Sequence, residues 1–136
     1  MEGKRESGLL YEKLTHEIIG AAMEVHRNLG PGFSERIYEK ALKIELAERK
    51  VPFDTQRRIR ISYKGCKIGD QILDIVVDDK IIIELKATDS LNTFYEAQLI
   101  SYLKATKCQI GLLINFSKPS LEWKRIKLKD ELLRQD

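Results

Sequence analysis

Residues 73–87 read LDIVVDDKIIIELKA: two apolar runs rich in β-branched side chains, joined by Asp78-Asp79-Lys80. Runs of this length and composition form strands, and the acidic break between them marks a turn. IIIEL is nearly continuous in apolar side chains, so both faces of that strand are expected to be covered. A strand covered on both faces needs a sheet with helices packed against it. Three charges interrupt the runs: Asp74, Glu84 and Lys86.

The rest of the chain supplies those helices. Leu10, Leu14, Ile18, Ala21, Ala22, Val25 and Leu29 recur at helical spacing over a stretch from Leu9 to about Asn28. The Gly-Pro-Gly at 30–32 stops it, and Ser34 is placed as the N-cap of a second helix from Glu35 to about Arg49. Val51-Pro52 breaks that helix. The period then changes to two: Phe53, Thr55, Arg57, Ile59, Ile61 and Tyr63 alternate with more polar neighbours, which predicts a strand. YKGCK turns the chain at Gly65, and further strands follow at about 68–77 and 81–87. A helix is expected over 92–106 with Tyr95, Leu99 and Leu103 on one stripe, then a buried strand CQIGLLINF. LEWKRIKL reads as a charged edge strand. The helix at 92–106 can act as a crossover, which makes CQIGLLINF parallel to the strand at 81–87. The expected fold is α/β (α+β): a central mixed β-sheet flanked by helices, in one domain spanning 1–136, with flexible ends at 1–8 and 129–136.

Composition narrows the functional classes. The 136 residues carry a net charge of only +3, so the total does not mark a nucleic-acid binder. The distribution is more informative. Arg57, Arg58, Arg60, Lys64 and Lys67 fall in one short segment, and Lys118, Lys124, Arg125, Lys127 and Lys129 cluster near the end. Such patches attract phosphate backbones, although the solvated faces of strands carry the same residues. Cys66 and Cys108 form no C-x-x-C pair, which excludes an iron–sulfur cluster and fits a reduced compartment. With two histidines, a structural zinc site is not expected. The charged opening MEGKRESG lacks the apolar core of a signal peptide, and no apolar run is long enough to span a bilayer. The expected compartment is the cytoplasm, with no membrane partner.

Whether the three charges converge depends on the turn. Glu84 and Lys86 share a strand face because side chains alternate. A two-residue turn at Asp78-Asp79 would leave Asp74 on the opposite face. A three-residue loop, Asp78-Asp79-Lys80, pairs Val77 with Ile81 and sets Asp74 across from Glu84. The three-residue loop is the expectation taken here. Two adjacent carboxylates repel unless a cation lies between them, and a hard ion such as Mg²⁺ suits an oxygen-only pocket. Lys86 beside them can stabilise charge on an attacked phosphate or help position a water. Taken alone, the same residues also describe an exposed hairpin face with a cross-strand salt bridge.

Two helices add residues in a telling order. EAQLISYLKA sets Gln98 and Tyr102 at i and i+4, and GFSERIYEKA sets Glu35 and Tyr38 at i and i+3. The order of these elements, with Asp74 and then Glu84-x-Lys86, resembles the PD-(D/E)XK nuclease superfamily, whose core is helix, three strands, helix, strand. Within it, Gly32, Glu35 and Tyr38 of GFSERIY are similar to the signature of the GxxExxY proteins, over about residues 9–117. Gln98 and Tyr102 are similar to the Q-x-x-x-Y of RecB-type nucleases. The proline of the superfamily motif is Leu73 here.

The resemblance implies that Asp74 and Glu84 ligate Mg²⁺ or Mn²⁺, with the Leu85 carbonyl as a further ligand, and that Lys86 is the catalytic lysine. Glu35 would reach the metal through water, and Gln98 and Tyr102 would orient the substrate or the lysine. His26 is read as a capping or core residue, and Asp70, Asp78 and Asp79 are left outside the site. The expected function is metal-dependent hydrolysis of nucleic-acid phosphodiester bonds, DNA first, in a homodimer or larger assembly. The alternative is a non-catalytic nucleic-acid-binding or protein-interaction module that retains the nuclease fold.

Overall fold

The computed structural model describes residues 9–129. The expected flexible ends therefore lie outside the described residues, except for the exposed Lys129. Eight elements follow in order: α1 (Glu12–Leu29), α2 (Glu35–Glu48), β1 (Phe53–Tyr63), β2 (Cys66–Val77), β3 (Ile81–Lys86), α3 (Thr93–Thr106), β4 (Ile110–Asn115) and β5 (Glu122–Lys127). The strands form one sheet in the order β1-β2-β3-β4-β5. β3 and β4 are parallel, joined by α3, and every other pairing is antiparallel.

Local chemistry sets the boundaries. α1 ends at Gly30, whose φ of 69° lets its N–H turn back to the His26 carbonyl. Ser34 does occupy the N-cap of α2, but its side chain makes no capping bond. Only its backbone carbonyl engages, accepting from Ile37 and Tyr38. The Asn92 side chain caps α3, accepting from the Tyr95 N–H at 3.2 Å. No helix among the described residues is long and apolar enough to cross a membrane.

Each face of the sheet is packed. On one side, Ile18, Ala22, Leu42 and Leu46 of α1 and α2 meet Ile75, Ile81, Ile83 and Leu112. On the other, Leu99 and Leu103 of α3 meet Val76, Ile82 and Leu113. Burial of each such side chain contributes roughly 1.5–3 kcal/mol. Two cores on one sheet explain the continuous apolar run at 81–83.

β2 changes face midway. Leu73 packs on the α3 side, whereas Ile75 packs on the α1–α2 side, although alternation would give them one face. The break lies at Gln56 and Asp74, the step where the β1–β2 ladder pairs Thr55 with Ile75 and then Arg57 with Leu73. Gln56 sits there at φ 53°, which rotates the hairpin. Beyond it, β1 and β2 run on as an arm to a two-residue turn, Lys64-Gly65, both at positive φ.

Candidate active site

The turn between β2 and β3 is the three-residue loop. Val77 pairs with Ile81, Val76 with Ile82 and Ile75 with Ile83. Asp78 and Asp79 take left-handed backbone conformations, and Lys80 N–H closes on the Val77 carbonyl at 2.9 Å. One more step in this register sets Asp74 opposite Glu84. The paired ladder ends at Ile75 and Ile83, so the strands part where the acids begin.

Glu84 is half-buried on the α3 side of the sheet and makes no hydrogen bond or ion pair to any described residue. Burial pushes its carboxyl up to about 7, an effect that Lys86 opposes and that Asp74, Glu35 and Glu39 reinforce. Four charged groups from β2, β3 and α2 therefore converge on it. Tyr102 of α3 belongs to the same group: burial raises its hydroxyl, and the charges of Glu84 and Asp74 raise it further. Asp74 is exposed and accepts a hydrogen bond from Gln56 Nε2 at 3.2 Å.

Lys86 forms no ion pair with either acid. Its ammonium lies over the ring of Tyr95, 4.6 Å from the centroid. The cross-strand salt bridge that would make this hairpin merely decorative is absent among the described residues. Gln98 is half-buried one turn before Tyr102 on α3, with its amide unpaired. Leu85 lies between Glu84 and Lys86, with its side chain in the α1–α2 core. Glu35 is exposed in the first turn of α2, and Glu39, one turn on, is tied to Lys43 at 2.6 Å.

Among the described residues, no group of three or more His, Cys, Asp and Glu side chains is arranged to hold a metal. The oxygen donors available are the two carboxylates of Asp74 and Glu84 together with backbone carbonyls. This set fits a hard divalent cation. A half-buried carboxylate without a donor, next to a second carboxylate, is stabilised by positive charge placed between them.

The basic segment is less free than its sequence suggests. Arg57 is paired with Asp54 and with Asp79, the latter at 2.5 Å, and Arg58 and Lys67 share Asp70, each at 3.3 Å. Lys64 lies over Tyr63, and Arg60 is exposed with no carboxylate partner. Exposed pairs of this kind are worth about 0–1 kcal/mol, so a phosphate can compete for them. At the other cluster, Lys124 pairs with Glu96 at 2.5 Å and Arg125 bonds the Leu10 carbonyl.

Four contributors were not read from the sequence: Gln56, Tyr95, Glu39 and Asn115. Asn115 is fully buried at the end of β4. It accepts from the Thr88 N–H at 3.1 Å and donates to the Thr88 carbonyl at 2.9 Å, which fixes the segment between Lys86 and α3. A lone asparagine ending the apolar run IGLLIN was its signal. His26 is a core residue, bonded to the Lys118 carbonyl at 2.8 Å and packed on Phe116.

Comparison with known proteins places the family and the fold. The model of the PD-(D/E)XK nuclease superfamily matches residues 12–126, and the chain belongs to that superfamily. A solved structure described as the crystal structure of SSO0001 aligns with a TM-score of 0.58 at 22% identity, which shows a shared fold. The alignment covers 73% of this chain and 54% of that one, so the chain spans about half the length of its structural relative. No curated protein matches the sequence.

Proposed function

We propose that the protein is a metal-dependent nuclease that hydrolyses phosphodiester bonds by attack of an activated water. The observation that supports this most is Glu84: a half-buried carboxyl without a hydrogen-bond donor, raised by desolvation to about 7, with Asp74 and Lys86 beside it. Asp74, Glu84 and the Leu85 carbonyl would hold Mg²⁺ or Mn²⁺. A divalent cation there would polarise a phosphoryl oxygen and lower the pKa of a bound water.

The chain's own groups do the rest. Lys86 carries a positive charge unneutralised by any carboxylate contact, so it can stabilise charge that develops on a phosphate. The ring of Tyr95 holds that ammonium at the mouth of the site. Gln98 and Tyr102 present unpaired polar groups from one face of α3, suited to orienting the substrate or the lysine. Glu35 and Glu39 add negative charge that favours a cation at Glu84.

DNA is the first substrate to test, the GxxExxY proteins are the proposed subgroup, and the cytoplasm is the proposed compartment. Incubation with varied DNA and RNA in Mn²⁺ tests the activity, and cleavage unchanged in Lys86→Ala would remove the mechanism. The exposed Arg60 and Lys64 on the arm favour one rival, a binding module that does not cut. Salt-dependent binding without divalent metal, and no cleavage of any substrate, would select it.

A further inference from the structure

Lys86 is the centre of two aromatic series that leave the sheet on opposite faces. On the α3 side its ammonium contacts Tyr95, and Tyr95 meets Phe94 edge-on at 5.9 Å. On the α1–α2 side the Lys86 carbonyl accepts from the Phe116 N–H at 3.0 Å. Phe116 stacks on Tyr38 at 4.5 Å, and Tyr38 meets Phe33 edge-on at 6.2 Å. Each series ends in an exposed phenyl ring: Phe94 is 65% exposed and Phe33 46%.

Neither ring is required by the cores. Phe94 lies in the first turn of α3, and Phe33 lies in the loop two residues before Glu35. Phe94 follows the exposed, polar Asn92 and Thr93, and Phe33 is followed by the exposed, polar Ser34 and Arg36, with Ile37 at 43% exposure the next apolar side chain, so neither ring belongs to a broad apolar patch. That arrangement suits isolated flat groups better than a protein surface. Bases in a duplex hide their π-faces in the stack and would offer these rings only the sugar–phosphate rim. Unpaired bases offer a face to each ring.

We propose that Phe33 and Phe94 are base-stacking platforms flanking Lys86, and that the substrate class is single-stranded nucleic acid, DNA or RNA. The proposal rests on the nuclease reading above and specifies its substrate. A strand that passes the end of β3 from one face of the sheet to the other would meet both rings, with its phosphates toward the Lys86 ammonium on the α3 side and its bases toward the phenyl rings.

The test is fluorescence anisotropy in EDTA, so that binding is read apart from cleavage. The probes are labelled DNA and RNA single strands of about fifteen nucleotides and the same strands annealed to their complements. Single strands of one or both chemistries are expected to bind at least tenfold tighter than the duplexes. Phe94→Ala and Phe33→Ala are each expected to weaken single-strand binding fivefold or more, the lower end for loss of one stacked base. Phe94→Leu should behave like the alanine variant, and Phe33→Trp should restore affinity while keeping the contact with Tyr38. A smaller strand preference, or a smaller loss in either alanine variant, overturns the proposal. Cleavage by the wild type and by Lys86→Ala in Mn²⁺ is scored separately. Strand-selective binding without any cleavage would count against the nuclease reading and leave the platforms standing.

Discussion

Gln56 donates a hydrogen bond to Asp74 at 3.2 Å, at the step where the β1–β2 ladder skips a pair and Gln56 takes a φ of 53°. The kink and the bond act together. One turns β2 so that Leu73 and Ile75 serve different cores, and the other holds the acid that stands at the change of face. Glycine adopts this backbone without the steric cost that glutamine bears. Gln56→Gly therefore keeps the kink and removes the bond. The expected outcome is a thermal midpoint that does not fall, with cleavage reduced roughly 10- to 100-fold, the scale of one hydrogen bond to a charged carboxylate. A lower midpoint would show that the Gln56 side chain supports the fold rather than Asp74.

Glu84 makes stability and metal affinity depend on pH in opposite senses. Its folded carboxyl lies near 7 against an ordinary 4.5, so folding favours the protonated form. That contribution is fully present below 4.5 and is lost as pH rises to about 7, on the order of 3 kcal/mol without metal. Glu84→Gln is therefore expected to be more stable than the wild type at pH 8 and similar to it at pH 4. Chemical denaturation in EDTA at the two pH values checks this.

Metal binding needs the carboxylate. Below about 7 a cation must displace a proton, so Mn²⁺ affinity should fall about tenfold per pH unit there and level off above. Calorimetric titration in buffers of different ionisation enthalpy should show about one proton released per ion at pH 6 and none at pH 8. No proton release at pH 6 would place the cation elsewhere.

Tyr95 is a second test of how the site is held. The ammonium of Lys86 rests on its ring, so Tyr95→Phe keeps the contact and Tyr95→Leu removes it. A cation–π contact of about 0.5–2 kcal/mol predicts near-native cleavage in the phenylalanine variant and a 2- to 30-fold loss in the leucine variant. Equal losses in both would implicate the hydroxyl instead.

The residues that were legible in the sequence are those whose signal is local. Two loop lengths fit the apolar runs and the structure takes the three-residue one, while the parallel pairing of β3 and β4 followed from the helix between them. β1 spans Phe53–Tyr63 as expected, whereas β2 proved longer toward the arm, beginning at Cys66 rather than 68, because the turn at Lys64-Gly65 lets the ladder resume at once. The kink at Gln56 had no glycine or proline to announce it, since it exists only to let one strand serve two cores. Tyr95 was read as part of an apolar stripe, and its partner Lys86 lies on another element. Such pairings arise only when α3 docks.

Tyr38 connects the fold to the site. It is fully buried, its hydroxyl donates to the Gly30 carbonyl at 2.5 Å, and it accepts from the Phe33 N–H at 3.1 Å. Both partners belong to the loop that carries Phe33 into α2 and sets the start of Glu35. Tyr38→Phe keeps the stack on Phe116 and leaves a part-buried carbonyl and an N–H without their protein partner, a loss of about 1–2 kcal/mol. The loop should loosen more than the cores do. Amide exchange is expected to rise chiefly at residues 30–35, with the slow amides of β3 and β4 less affected. If exchange rose equally across β3 and β4, the hydroxyl would be holding the sheet itself, and the loop would have no separate role in placing Glu35.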